Sequence, residues 1–211
     1  MIEIWGGATS RTIRPHWMLS ELGIQYTPHL IGSRTGETQT DAFRRLNIKE
    51  KIPVLVDGDL VLTESAAMVT YLGDTYGPDT GLVPRPYTVE RAKYNEWLSF
   101  VQMELDAHTL YVMRKHRDLA DLYGEAPAAI DTAIEGFLKQ VRFAEHRLDK
   151  APHLVGETFT GADIMLTTCL AWAKLYGIEL SPVLDDYTAR MAARPSYLEA
   201  AKLNFSISPG G

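Results

Sequence analysis

Strand-like and helix-like periods alternate through the first third of the chain and then give way to helical periods alone. Residues 2–5 form a short apolar run that predicts a buried strand, followed by a Gly6-Gly7-Ala8 loop. Over 10–22 the period turns helical, with Ile13, Trp17 and the Met18/Leu19 pair on one side and Gly23 as the stop. Residues 26–31 predict a second strand; Pro28 within it cannot donate to a ladder and so assigns it to a sheet edge. Residues 32–36 read as a loop and 41–46 as a short helix. Two apolar runs, 53–56 and 59–62, flank Asp57-Gly58 and predict a tight β-hairpin. A helix over 64–76 ends at Gly77-Pro78, which completes a βαβαββα unit.

Residues 77–86 carry three prolines and two glycines and read as a linker. Beyond them no strand is predicted. A long helix spans 89–116, with Tyr94, Leu98, Val101, Leu105 and Val112 as its apolar stripe. A second runs over 127–148, with Ile130, Ile134, Phe137, Val141, Ala144 and Leu148 on one side, Pro127 at its start and Pro152 beyond its end. A third, 162–176, is apolar almost all round and predicts the buried centre of a bundle. Shorter helices follow at 182–193 and 195–203, and 204–211 read as a weakly structured tail.

Composition narrows what this α/β plus all-α arrangement does. The 211 residues carry 21 Lys and Arg against 27 Asp and Glu, a net charge of −6, which argues against general nucleic-acid binding. The single cysteine excludes an internal disulfide, a Cys-x-x-Cys redox pair and a zinc site with two thiolates from one chain. The longest uncharged apolar stretch, 164–173, falls well short of the roughly 20 residues of a membrane span. Residues 1–5 show neither the basic region nor the apolar core of a signal peptide, so a cytoplasmic location is expected. On that ground the sequon Asn204-Phe205-Ser206 carries no glycosylation meaning.

Four short runs carry candidate chemistry, each beside a plainer structural role. Thr160 followed by Asp163 has the spacing of a capping box and is read as structural. Ile52-Pro53 opens a strand; with a cis peptide it also presents the backbone of Ile52 to an extended ligand. Glu64-Ser65 starts a helix after a strand, which caps the helix or holds a ligand bearing both ammonium and carboxylate, Glu64 on the first and Ser65 on the second. Thr9-Ser10 precedes the first helix and either caps it or gives a hydroxyl to an anion at the helix start, where Arg11 and Arg14 add positive potential or are solvated. His108 and His116 stand eight apart without a metal-binding spacing, no Gly-x-Ser-x-Gly elbow is present, and Cys169 sits in the apolar helix as a small core residue.

The order of these runs resembles the glutathione transferases of the cytosolic, thioredoxin-like kind. A hydroxyl in Thr9-Ser10, then Ile52-Pro53, then Glu64-Ser65, then a helical half with Phe159-Thr160-Gly161-Ala162-Asp163 is that family's pattern, and the likeness covers nearly the whole chain. It implies a thioredoxin-like glutathione-binding domain at 1–78, a linker at 79–87 and an all-helical domain at 88–211 that shapes a pocket for an electrophile. Carried over by position, Ile52 and a cis Pro53 hold the cysteinyl backbone of glutathione, Glu64 and Ser65 its γ-glutamyl end, and Lys51 its glycyl carboxylate. The first loop lacks the tyrosine and the cysteine of other members, which implies a serine- or threonine-type enzyme. Counting fourteen residues back from Gly23 puts the sulfur-facing hydroxyl at Thr9, with Ser10 as a cap or second donor. The stripe Phe100, Met103, Ala107 and Tyr111, with Trp172 behind it, is the expected electrophile pocket, against the plainer reading that these are core residues. Glutathione is the expected co-substrate, with no metal, no nucleic acid and no membrane, in a homodimer that pairs through the helices beginning at Glu64 and Val89. The other reading is a non-catalytic glutathione-binding or protein-interaction module of the same fold.

Overall fold

The computed structural model describes residues 1–208; residues 209–211 of the expected tail lie outside the described residues. The chain forms two compact units, one of Met1–Val83 together with Ala192 onward, the other of Pro84–Met191. In the first, β1 (Ile2–Trp5), β2 (Thr27–His29), β3 (Val54–Asp57) and β4 (Leu60–Thr63) form one sheet in the order β2-β1-β3-β4. β1 pairs parallel with β2 and antiparallel with β3, and β3 antiparallel with β4. With its helices this is a thioredoxin-like βαβαββα unit. Pro28 lies on the edge strand, where its missing N–H costs nothing. Asp57 turns out to be a strand residue paired with Leu60, so the hairpin loop is Gly58-Asp59, with Gly58 at φ 58°. Helix α1 (Ile13–Leu22) starts three residues later than its period suggests, because residues 9–12 wind into a leading turn. It stops at Gly23, φ 65°, where Ile24 N–H reaches back to Leu19 O, the left-handed ending that glycine permits. Helices α2 (Asp41–Leu46) and α3 (Ser65–Tyr76) complete the chain order. Tyr71 and Tyr76 of α3 both donate to the Asp57 carboxylate and tie the helix to the hairpin.

The second unit is all helix: α4 (Val89–Phe100), a π-helical segment (Val101–Leu110), α5 (Tyr111–His116), α6 (Ala120–Tyr123), α7 (Pro127–Leu148), α8 (Gly161–Leu175) and α9 (Pro182–Ala192). The single long helix expected over 89–116 is thus three pieces. The wide π turns advance the buried stripe by one residue, so Met113 is buried and Val112 only half-buried. α7 buries Ala133, Phe137, Val141 and Ala144 along the expected side. α8 buries Gly161 through Leu170 without a break and is the unit's centre. Asp163 at its start is fully buried and well supplied with donors: Thr160 N–H at 2.9 Å, the Thr160 hydroxyl at 3.1 Å, Leu154 N–H at 3.2 Å and the Tyr187 hydroxyl at 2.8 Å. No helix among the described residues is long and apolar enough to cross a membrane.

The last helix, α10 (Pro195–Asn204), lies in the first unit and packs along α1. Sequence alone assigns it to the helical domain. Its attachment is specific: Arg194 donates twice to Glu21, at 2.7 and 2.8 Å, and Trp17 and Ser196 donate to the same carboxylate. Burial pushes the Glu21 carboxyl up, but the bonds from Arg194, Ser196 and Trp17 outweigh it and hold it below its ordinary value. Asn204 closes the helix fully buried, so the expected loose tail begins after it.

Truncating Asp163 strands four buried donors at once. We expect Asp163→Ala to lower unfolding free energy by about 3–5 kcal/mol. Urea denaturation followed by circular dichroism measures it; a loss below about 1 kcal/mol contradicts the role assigned to this carboxylate.

Candidate active site

The sheet register builds the site. Trp5 stands opposite Val54, and Val54 opposite Thr63. The residues after Trp5, before Val54 and after Thr63 therefore leave the sheet at one end, side by side. That gathers the Thr9-Ser10 turn, Ile52-Pro53 and Glu64-Ser65 from positions up to 56 residues apart. Gly6 is where the first two meet. A Cβ there would lie 2.8 Å from Thr12 Cγ2 and 2.9 Å from Ile52 Cβ, so only glycine lets the turn approach Ile52 this closely. Arg14 joins the third: its buried guanidinium donates to Ser65 Oγ at 3.0 Å.

Each expected residue can now be placed. The Ile52-Pro53 peptide is cis. The backbone N–H and C=O of Ile52 make no hydrogen bond among the described residues, which leaves one donor and one acceptor for an extended ligand. Glu64 has φ 71° and ψ 110°, a conformation that costs a non-glycine residue about 1–3 kcal/mol and recurs at functional sites. Its carboxylate faces solvent and accepts from Lys49 Nζ at 2.7 Å. Ser65 is buried at the first turn of α3; Arg14 is donor-only, so the Ser65 oxygen accepts and its proton remains available to an acceptor. Lys51 is exposed, and its carbonyl accepts from the Asn47 amide at 2.7 Å.

The two hydroxyls of the first loop differ sharply. Thr9 Oγ1 accepts Thr12 N–H at 3.1 Å, and Thr9 N–H donates to Thr12 Oγ1 at 3.0 Å. This is a reciprocal capping turn, with Thr12 where a Glu or Gln would usually stand. The cap is Thr9, not Ser10 as the sequence suggested. Ser10 is half-buried, and its hydroxyl makes no hydrogen bond among the described residues. Behind the loop, His16 Nε2 donates to Gly6 O at 3.1 Å, which leaves Nδ1 to accept the Tyr26 hydroxyl at 2.8 Å. Burial holds the His16 pKa below its ordinary value, so the ring stays neutral.

The five residues expected to meet an electrophile all lie in the second unit. Met103 is exposed and Ala107 and Tyr111 half-buried, spaced so that successive turns stack them. Phe100 packs edge-on against Trp97 and Phe143, at 5.7 and 5.2 Å between centroids, and Trp172 is buried beside Tyr176. Phe100 and Trp172 are thus committed to separate aromatic clusters. Among the described residues no cluster of three His, Cys, Asp or Glu side chains could hold a metal ion.

Sequence reasoning missed Lys49, Thr12 and Asn204, and left Arg14 open between a source of positive potential at the helix start and a solvated charge, without its bond to Ser65. Only the Thr-x-x-Thr spacing of Thr9 and Thr12 offered a local signal.

Two family models match the chain: "Glutathione S-transferase, N-terminal domain" over residues 10–75 and "Glutathione S-transferase, C-terminal domain" over 100–195. Glutathione S-transferase GST-4.5 of Xanthomonas campestris pv. campestris is 32% identical over 162 residues, 72% of this chain and 74% of that one. A probable maleylacetoacetate isomerase of Vibrio cholerae is 26% identical over 212 residues, 95% of this chain and 94% of that one. Among solved structures, the theta class glutathione S-transferase of Xanthomonas axonopodis pv. citri with glutathione bound superposes with a TM-score of 0.80 at 28% identity, over 98% of each chain.

The capping turn makes opposite demands on its two hydroxyls. We expect Thr9→Val, which loses the acceptor for Thr12 N–H, to cost about 1 kcal/mol of stability, and Ser10→Ala less than about 0.5 kcal/mol. Chemical denaturation of both variants checks this; a larger loss in Ser10→Ala contradicts the assignment of the cap.

Proposed function

This chain belongs to the glutathione S-transferase family, and on that premise we propose that the site at the end of the sheet binds glutathione and activates its thiol for attack on a small hydrophobic electrophile. The observation that carries this reading is the Ile52 backbone, unpaired beside a cis proline and set between a helix-start hydroxyl turn and Ser65. A tripeptide laid along it pairs its cysteinyl backbone with Ile52. Its γ-glutamyl carboxylate meets the Ser65 proton and the start of α3, with the Arg14 charge behind. Its ammonium meets Glu64, sharing that carboxylate with Lys49. Lys51 and Lys49 are the cations nearest in sequence for the glycyl carboxylate.

The thiol then lies at the start of α1. A free thiol titrates near ~8.5, and lowering it by two units takes about 2.7 kcal/mol of preference for the thiolate. A hydroxyl bond to a charged acceptor supplies about 1.5–3 kcal/mol. The helix start adds about 0.3–1 kcal/mol, so the two suffice together. Thr9 is the donor in this reading. Accepting Thr12 N–H polarises its O–H and strengthens the bond it gives. The unpartnered Ser10 hydroxyl favours a second reading in which Ser10 donates instead. The thiolate forms a carbon–sulfur bond as the electrophile's leaving group departs, and the thiol proton goes to solvent; peroxide reduction starts from the same thiolate. Met103, Ala107 and Tyr111, together with Phe100 and Trp172, are the proposed electrophile contacts. The proposed enzyme is a cytoplasmic homodimer that pairs through α3 and α4.

A glutathione-dependent turnover screen over conjugation, peroxide reduction, dehalogenation and isomerisation tests the reading. Turnover in at least one is expected; silence in all four with glutathione binding intact favours a binding module. Glu64→Ala and Ser65→Ala should each weaken glutathione binding about ten- to a hundredfold by calorimetry, the loss of one charge-assisted bond. Unchanged affinity in both contradicts the site. Sedimentation at micromolar concentration should give a dimer; a monomer contradicts the pairing.

A further inference from the structure

Asn204 ends α10 inside the hydroxyl turn, 192 residues from Thr12, and every polar group it has there is used. Its carbonyl accepts Ala8 N–H at 2.6 Å, its Nδ2 donates to Thr9 O at 3.2 Å, and its Oδ1 accepts the Thr12 hydroxyl at 2.7 Å. The side chain is fully buried. The amide can face only one way, because Thr9 O accepts and cannot donate.

The same reasoning fixes the one proton of Thr12. Thr9 O, 3.0 Å from Thr12 Oγ1, already takes Ile13 N–H at 3.2 Å and the Asn204 amide, which fills its two lone pairs. Asn204 Oδ1 is the closer acceptor and takes the Thr12 proton. Thr12 Oγ1 is then an acceptor toward Thr9. Among the described residues the Thr9 proton has one destination, neutral Thr12 Oγ1 at 3.0 Å, and an anionic sulfur outcompetes a neutral oxygen for it. Ala8, at φ 60°, is held on its path by the bond to the Asn204 carbonyl. Gly7 also leaves room for this helix end, since a Cβ there would lie 3.3 Å from Asn204 O and 3.0 Å from Ile207 Cδ1.

We infer that Asn204 is a positioning residue for thiol activation: the end of α10 sets the path of the Thr9 backbone and the direction of the Thr9 hydroxyl proton. This rests on the reading in which Thr9 donates to sulfur. Without the Asn204 amide, the Thr12 proton turns back onto Thr9, the carbonyl of Thr9 loses a donor, and the turn samples several arrangements. The bond to sulfur weakens on average, while the contacts to the ends of glutathione are untouched.

The test is the pH titration of thiolate ultraviolet absorbance in the glutathione complex. Thr9→Val raises the thiol pKa. Asn204→Ala raises it by about half a unit to one unit, and the double variant rises no further than Thr9→Val alone. Thr12→Val follows Asn204→Ala, and Thr12→Ser, which keeps the hydroxyl, stays at the wild-type value. An Asn204→Ala protein that melts earlier but titrates like wild type overturns the inference and leaves the Thr9 reading standing; so does full additivity with Thr9→Val. An unchanged pKa in Thr9→Val overturns the Thr9 reading, and this inference with it. Should Asn204→Ala not fold, the Thr12 pair decides: a Thr12→Val protein that titrates like wild type overturns the inference.

Discussion

The antiparallel register that sets Trp5 against Val54 and Val54 against Thr63 is the constraint on which the rest depends. A slip of one residue in either ladder would invert the side chains and misalign the three chain ends. With the register kept, a loop, a cis proline and a helix start open side by side, each with unsatisfied or directed polar groups. The alternation along β1 enforces it: Ile2 and Ile4 are core residues while Glu3 and Trp5 are half-buried, so a one-residue shift would turn Glu3 into the core.

Around that row the protein uses donor-only and acceptor-only partners to decide which way ambiguous groups point. Arg14 can only give, so Ser65 is left as a donor. Gly6 O can only accept, so His16 carries its proton on Nε2, and burial keeps the ring neutral. Thr9 O can only accept, so the Asn204 amide has one orientation. Hydroxyls and amides oriented before a ligand arrives need no reorganisation to meet charge, which is what makes such bonds effective at a thiolate. The proposed chemistry asks for about two pKa units, and a preset hydroxyl at a helix start is of the right size to supply them.

Much of this was legible in the sequence because it is local. Period-2 and period-3.6 patterns located the strands and helices of the first unit, Pro28 marked the edge strand, and Gly23 marked the end of α1. The Thr160–Asp163 spacing announced a helix start. What stayed hidden depends on distant neighbours. An apolar stripe of period 3.6 absorbs one extra residue without trace, so the π segment surfaced only as burial of Met113 in place of Val112. Arginine is seldom buried, and nothing near Arg14 reveals a serine 51 residues away that keeps it there. Asn204 looked like part of a loose polar tail, and its partners lie almost a full chain length off. Of the sites, Ile52-Pro53 and Glu64-Ser65 were visible as pairs of residue types, but the cap fell to Thr9 rather than Ser10, a choice signalled locally only by the spacing of Thr9 and Thr12.

The proposed site holds one glutathione molecule along this row, with its sulfur at the start of α1. A crystal structure of the glutathione complex tests this most directly. The cysteinyl N–H and C=O should pair with Ile52, the γ-glutamyl carboxylate should sit on Ser65, and the sulfur should lie within hydrogen-bond reach of the Thr9 hydroxyl. Glutathione bound elsewhere, or bound here with Ile52 unpaired and the sulfur turned away from residues 9–12, would contradict it.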